Sequence, residues 1–103
     1  MHIISKRKIR EYYARNVQSK VPLCEWYFKM KHCNINNLTE LRSIFNSVDP
    51  AHGYTIFNIG GNNYRIITAI HYNSQRCYIR AIWTHTEYSK KENQEKIRRA
   101  TLW

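Results

Sequence analysis

Apolar residues recur every three or four positions through the first half of the chain, and at alternate positions through much of the second. Ile9, Tyr12, Tyr13 and Val17 lie at helical spacing, with Lys6, Arg7, Lys8, Arg10 and Arg15 mostly on the other side. The spacing predicts a helix opening at Ser5, a residue suited to cap it, after a short strand over residues 2–5. A second helix is predicted over Val21–His32, with Pro22 in its first turn and a stripe of Leu23, Trp26, Tyr27 and Met30. Asn34 to Asn37 break the pattern. "LTELRSIF" then supports a short helix carrying Leu38, Leu41, Ile44 and Phe45, capped by Asn37 or Thr39.

From Asp49 to Gly53 the residues favour a loop. Beyond it the period changes to two. "YTIFNI", "YRIITAIHY" and "CYIRAIWT" read as three strands, joined by turns at Gly60-Gly61-Asn62 and Asn73-Ser74-Gln75. Gly60-Gly61 is turn geometry, because no helix follows it to make a phosphate loop. The pattern is α+β: two to three helices on one face of an antiparallel sheet of three strands, or four with residues 2–5. Residues 1–103 read as one domain. The charged tail over 89–103 reads either as a helix carrying Ile97 and Leu102 or as a frayed extension.

Alternation also assigns faces, and a one-residue slip reverses them. An odd loop between the last two strands would set Arg65 among Ile79, Ala81 and Trp83, and burying an unpaired guanidinium is costly. An even loop, or an equivalent bulge, is therefore expected. It places Ile66, Ile70, Cys77, Ile79, Ala81 and Trp83 against the helices. Arg65, His71, Arg76, Tyr78 and Arg80 then share an open face with Tyr54, Ile56 and Asn58.

Charge sharpens this picture. Seventeen Lys and Arg against seven Asp and Glu give a formal charge of +10, which suits an anionic partner. Three cysteines without paired spacing argue against a disulfide framework or a zinc site, and for reduced thiols. The first residues lack the apolar core of a secretory signal, and no stretch approaches the roughly 20 apolar residues of a spanning helix. A soluble, cytoplasmic protein with no membrane partner, metal or cofactor is expected.

Arginines on rigid strands bind phosphate bidentately and stabilise charge that grows in a transition state. Histidine moves protons near neutral pH, and tyrosine stacks on bases or donates a proton. Arg65, Arg80, His85 and Tyr88 together suit a metal-free nuclease in which the 2′-OH of RNA attacks the adjacent phosphate. Each also has a plainer reading. The arginines can be solvated or bind a partner's carboxylates, His85 can bond a backbone carbonyl, Tyr88 can close the edge of a core, and Lys90 and Lys91 can be solvated.

The run "FNIGGNNYRIITAIHY…CYIRAIWTHTEYSK", after a "MHIIS" opening and a basic helix, resembles the HigB-type toxins of the RelE-like mRNA interferase superfamily. The resemblance implies a RelE-like fold and an endoribonuclease that cuts translated mRNA on the ribosome. It further implies a HigA-like, helix-turn-helix antitoxin, which alone would bring the chain to operator DNA. Carried over by position, Arg65 and Arg80 would hold the scissile phosphate, His85 would transfer a proton and Tyr88 would orient the nucleotide. Asn58, Asn62, Arg76, Tyr78, Lys90 and Lys91 would contact RNA. The sequence departs from the family in lacking a lysine on "YTIFNI", and in having Ser89 where aspartate commonly follows "EY". The competing readings are a non-catalytic basic module for RNA or DNA and a domain whose charge serves only an acidic protein. An antitoxin is expected to present acidic groups to the basic surface or to the N-terminal helices.

Overall fold

The elements of the computed structural model, which describes residues 1–102, follow the change of period. In chain order they are β1 (His2–Ile4), α1 (Lys6–Arg15), a 3-10 turn (Val17–Ser19), α2 (Lys20–His32), α3 (Leu38–Ile44), β2 (Val48–Ala51), β3 (Tyr54–Ile59), β4 (Tyr64–His71), β5 (Arg76–Thr84), α4 (His85–Ser89) and α5 (Lys91–Arg98). Trp103, the last position of the charged tail, lies outside the described residues.

The fold is α+β, as the pattern requires. Its sheet is wider than the expected three or four strands and is not wholly antiparallel. Five strands run in the order β1-β5-β4-β3-β2, with β1 parallel to β5. The added strand is β2, in a segment that reads as a loop. Pro50 has no N–H to donate, which β2 tolerates as an edge strand with β3 as its neighbour in the sheet. The turn shrinks to His52-Gly53, both at positive φ.

Helices cover one face. Ile9 and Tyr12 of α1, Leu23, Trp26 and Met30 of α2, and Leu41 of α3 bury against Phe57, Ile66, Cys77 and Ile79. Trp26 and Phe45 meet Phe57 edge-on, with centroids 5.3 and 5.1 Å apart. Asn37 caps α3, its side chain accepting from the Glu40 amide at 2.9 Å. Ser5 occupies the N-cap of α1 in a left-handed conformation (φ 78°) and makes no side-chain cap bond. Val17, expected on the buried face of the first helix, falls beyond its end and is 74% exposed.

The sheet faces follow the alternation near the β4–β5 turn and depart from it farther along. The loop between His71 and its partner Arg76 holds four residues, an even number as expected. The register then shifts: Thr68 pairs with Ile79 but Ile67 pairs with Ala81, so Arg80 is an extra residue in β5. The bulge turns Ala81 and Trp83 away from the helices and brings Ile82 toward them. Arg65 therefore faces Trp83, the juxtaposition that strict alternation across an even loop would exclude. The second face is not fully open either. Ile97 of α5 packs on Tyr54, Ile56 and Ile67, with Trp83, Tyr88 and Leu102 around them.

Thiol reactivity reports this layering. Burial pushes the Cys77 thiol up to about 12 and raises Cys33 as well, whereas Cys24 is exposed on α2. Only thiolate reacts. Mass-mapped alkylation of native protein should label Cys24 first and Cys33 more slowly. Cys77 should react only in denaturant, and labelling it at the rate of Cys24 would contradict this core.

Candidate active site

Three cross-strand partners form the base of the site: Asn58 on β3 pairs with Arg65 on β4, which pairs with Trp83 on β5. Directly opposed residues point to the same face. Asn58 is tied down by Ser47, to whose Oγ its Nδ2 donates at 2.5 Å. Arg65 is only 8% exposed. Its Nη1 donates to the carbonyls of Asn62 (2.8 Å) and Tyr64 (3.3 Å), which fixes it against the β3–β4 hairpin. Its guanidinium carbon lies 5.3 Å from the ring centroid of Tyr88. Both hydrogen bonds leave from Nη1, so the Nε–Nη2 edge is the part available to an anion.

A helix start delivers the remaining groups. Thr84 ends β5 and caps α4: its Oγ1 accepts from the Glu87 amide at 3.1 Å, and its own amide donates to Glu87 Oε1 at 2.9 Å. Glu87 is thereby a capping carboxylate. His85 begins the helix, exposed, with its amide donating to Asn63 O at 2.9 Å. That bond places it beside the hairpin that Arg65 clips. Ser89 Oγ stands 3.5 Å from His85 Nδ1. The same hydroxyl donates to the His85 carbonyl at 2.9 Å, within α4. Tyr88 is half-buried and faces Arg65, while Asn93 and Gln94 of α5 donate to the carbonyls of Glu87 and Tyr88. Removing the cap should loosen this end. Thr84→Ala is expected to lower stability by about 1 kcal/mol and Thr84→Ser by much less, read from urea midpoints.

Arg80, Tyr78 and Arg76 lie apart from this cluster, whereas Lys91 lines a groove with Tyr88. Arg80, at the bulge, stacks over Tyr78 at 5.0 Å and lines a small groove with Lys8, Arg15 and the buried Tyr12. Lys8 Nζ donates to the Arg80 carbonyl. Burial raises the Tyr12 phenol to about 12, with the Glu87 carboxylate adding to the effect. Tyr78 also meets His71 edge-on at 5.4 Å, and Arg76 is exposed at the far end of β5. Lys90 and Lys91 are exposed where α4 passes into α5. The structure thus gathers Asn58, Asn62, Arg65, His85 and Tyr88 around one hairpin. Trp83 joins them, which alternation alone could not foresee because nothing in "YIRAIW" marks the bulge. Among the described residues, no three His, Cys, Asp or Glu side chains cluster as metal ligands would. Among the described residues, no helix is long and apolar enough to cross a membrane.

Comparison with known proteins points the same way. Residues 19–91 match the family model for HigB toxins, described as the RelE-like toxic component of a toxin–antitoxin system. The mRNA interferase toxin HigB of Escherichia coli K12 is 30% identical over 98 residues, spanning 85% of this chain and 88% of that protein. The mRNA interferase HigB of Escherichia coli O6:H1 is 29% identical over 103 residues, spanning 92% of this chain and all of that protein.

Proposed function

Because the chain belongs to the HigB toxin family, we propose that it is an endoribonuclease that cuts mRNA during translation and is neutralised by a HigA-type antitoxin. The observation that carries this reading is Arg65, buried and clipped to the hairpin, with Tyr88 across its guanidinium and His85 at the adjoining helix start. A fixed guanidinium suits a phosphate whose negative charge grows during displacement.

In the proposed reaction the 2′-OH of the substrate attacks the neighbouring phosphorus. The O2′–P bond forms and the P–O5′ bond breaks, giving a 2′,3′-cyclic phosphate and a 5′-hydroxyl. The 2′ proton passes to a base and a proton is delivered to O5′; His85, exposed with Ser89 beside its Nδ1, takes part in this transfer. Arg65 holds the scissile phosphate and Tyr88 orients the flanking nucleotide. Arg80 binds backbone from the strand edge, with Asn58, Asn62, Arg76, Tyr78, Lys90 and Lys91 as further RNA contacts. RNA supplies the nucleophile and guanidinium groups the charge, so the scheme requires no metal ion. With so few groups at the hairpin, substrate placement falls to the ribosome. Cleavage of translated mRNA should therefore far exceed cleavage of free RNA.

Mapping mRNA 5′ ends after induction tests the reading. New 5′-hydroxyl ends within translated regions are expected, and His85→Ala should reduce their rate of appearance about 100-fold. One observation favours a second reading: Arg65 already has two carbonyls and a ring as partners, as a purely structural arginine would. Wild-type protein that occupies ribosomes yet leaves transcripts intact would establish a non-catalytic RNA-binding module instead.

A further inference from the structure

Apolar side chains lie around α2 instead of along one stripe. Leu23, Trp26 and Met30 are buried against the sheet. On the opposite side Val17, Val21 and Phe28 are 74%, 66% and 65% exposed, with exposed Cys24 between them. The four positions follow i, i+4, i+7, i+11 from the 3-10 turn through α2, a continuous seam about 16 Å long at 1.5 Å per residue. A helix apolar on both sides is normally covered on both, and this chain covers one.

Cations edge the seam toward α1. Lys6 and Lys31 lie over the Tyr27 ring at 4.8 and 6.0 Å, and Lys20 lies over Tyr13 at 5.5 Å. The aromatic rings hold these ammonium groups beside the stripe. The sole acidic residue of α2 is Glu25. The surface therefore fits an apolar ridge with carboxylates along one edge.

We infer that this seam docks an amphipathic helix of the antitoxin, with apolar residues at i, i+4, i+7 spacing and acidic residues facing Lys6, Lys20 and Lys31. The inference rests on the toxin–antitoxin reading above. An RNA strand would leave Val17, Val21 and Phe28 unmatched. A second copy would set two chains of formal charge +10 against each other. Helix-on-helix docking matches the seam's length and its i, i+4, i+7 spacing. α2 packs on the side of the sheet away from Arg65 and Trp83, so such a helix would lie across the sheet from Arg65, while Pro22, Glu25 and Lys29 of α2 line a cleft with Asn58 and Asn62 of the hairpin.

Two measurements with the protein of the neighbouring gene, the cognate antitoxin in such an operon, test this. In the wild-type complex, Cys24 should be shielded from iodoacetamide, with labelling slowed at least tenfold relative to free toxin. Val21→Glu/Phe28→Glu, at exposed positions and checked for wild-type thermal unfolding, should bind that protein at least 100-fold more weakly. It should still arrest growth, and co-expression should no longer rescue it. Unchanged affinity of the double variant, or full Cys24 reactivity in the complex, would overturn the assignment. Loss of binding to anionic lipid vesicles, with neighbour-protein affinity intact, would assign the seam to a membrane surface. A wild-type chain that does not bind the neighbour's product at all would sink the toxin–antitoxin reading itself.

Discussion

Replacing Arg65 with lysine should slow cleavage of translated mRNA roughly a hundred- to a thousandfold while the protein stays folded. Lysine keeps the positive charge but loses the fork. In the native chain one nitrogen, Nη1, holds the carbonyls of Asn62 and Tyr64, and neither bond uses the other edge of the same planar group. An ammonium group can satisfy the hairpin or present itself to a phosphate, but cannot do both in fixed directions. It also lacks the planar face that lies over Tyr88. Rates from 5′-end mapping or from a defined ribosome-bound message would be compared with urea midpoints of the same variants. If Arg65→Lys cuts at the wild-type rate and only unfolds earlier, Arg65 is a hairpin clip and the chemistry lies elsewhere. Tyr88→Phe separates two roles of the tyrosine: it keeps the stacking face, so a large loss would assign work to the hydroxyl.

That test would look different had the sheet followed simple alternation. Helical spacing placed α2 and α3 within a residue of their observed starts, and Asn37 was readable as a cap. The even β4–β5 loop followed from keeping Arg65 out of an apolar run. Yet Arg80 enters β5 as one extra residue in the register, and the faces exchange there. The burial cost that argued against an Arg65–Trp83 pairing is offset by carbonyls of Arg65's own hairpin and by Tyr88, which no count along the chain reveals. The same limit hid β2, since Pro50 signals a turn unless the strand is known to be an edge. It also hid the second core, because Ile97 alone marks α5 as amphipathic before its partners on β3 and β4 are known. For the site, residue types were legible and their distances were not. Arg65 and Tyr88 meet at the hairpin and the His85 amide bonds Asn63 there, while Arg80 stands at the edge beside α1.

Ile97→Ala should produce the larger loss of stability among single changes near the site, about 2–4 kcal/mol. Ile97 is 3% exposed and is the buried apolar residue of α5. A helix of eight residues has little stability of its own, so its docking depends on that side chain. The void would open over Tyr54, Ile56 and Ile67, and α5 would detach before the helix-covered core of Phe57, Trp26 and Leu23 gave way. Amide exchange should show α5 losing protection while α2 and β4 keep theirs. Activity should fall too, because Asn93 and Gln94 of α5 bond the Glu87 and Tyr88 carbonyls and so steady Tyr88 over Arg65. Faster cleavage by Ile97→Ala would reverse that assignment and make α5 a cover over the site. Equal loss of protection in α2 and α5 would show instead that the two cores unfold as one.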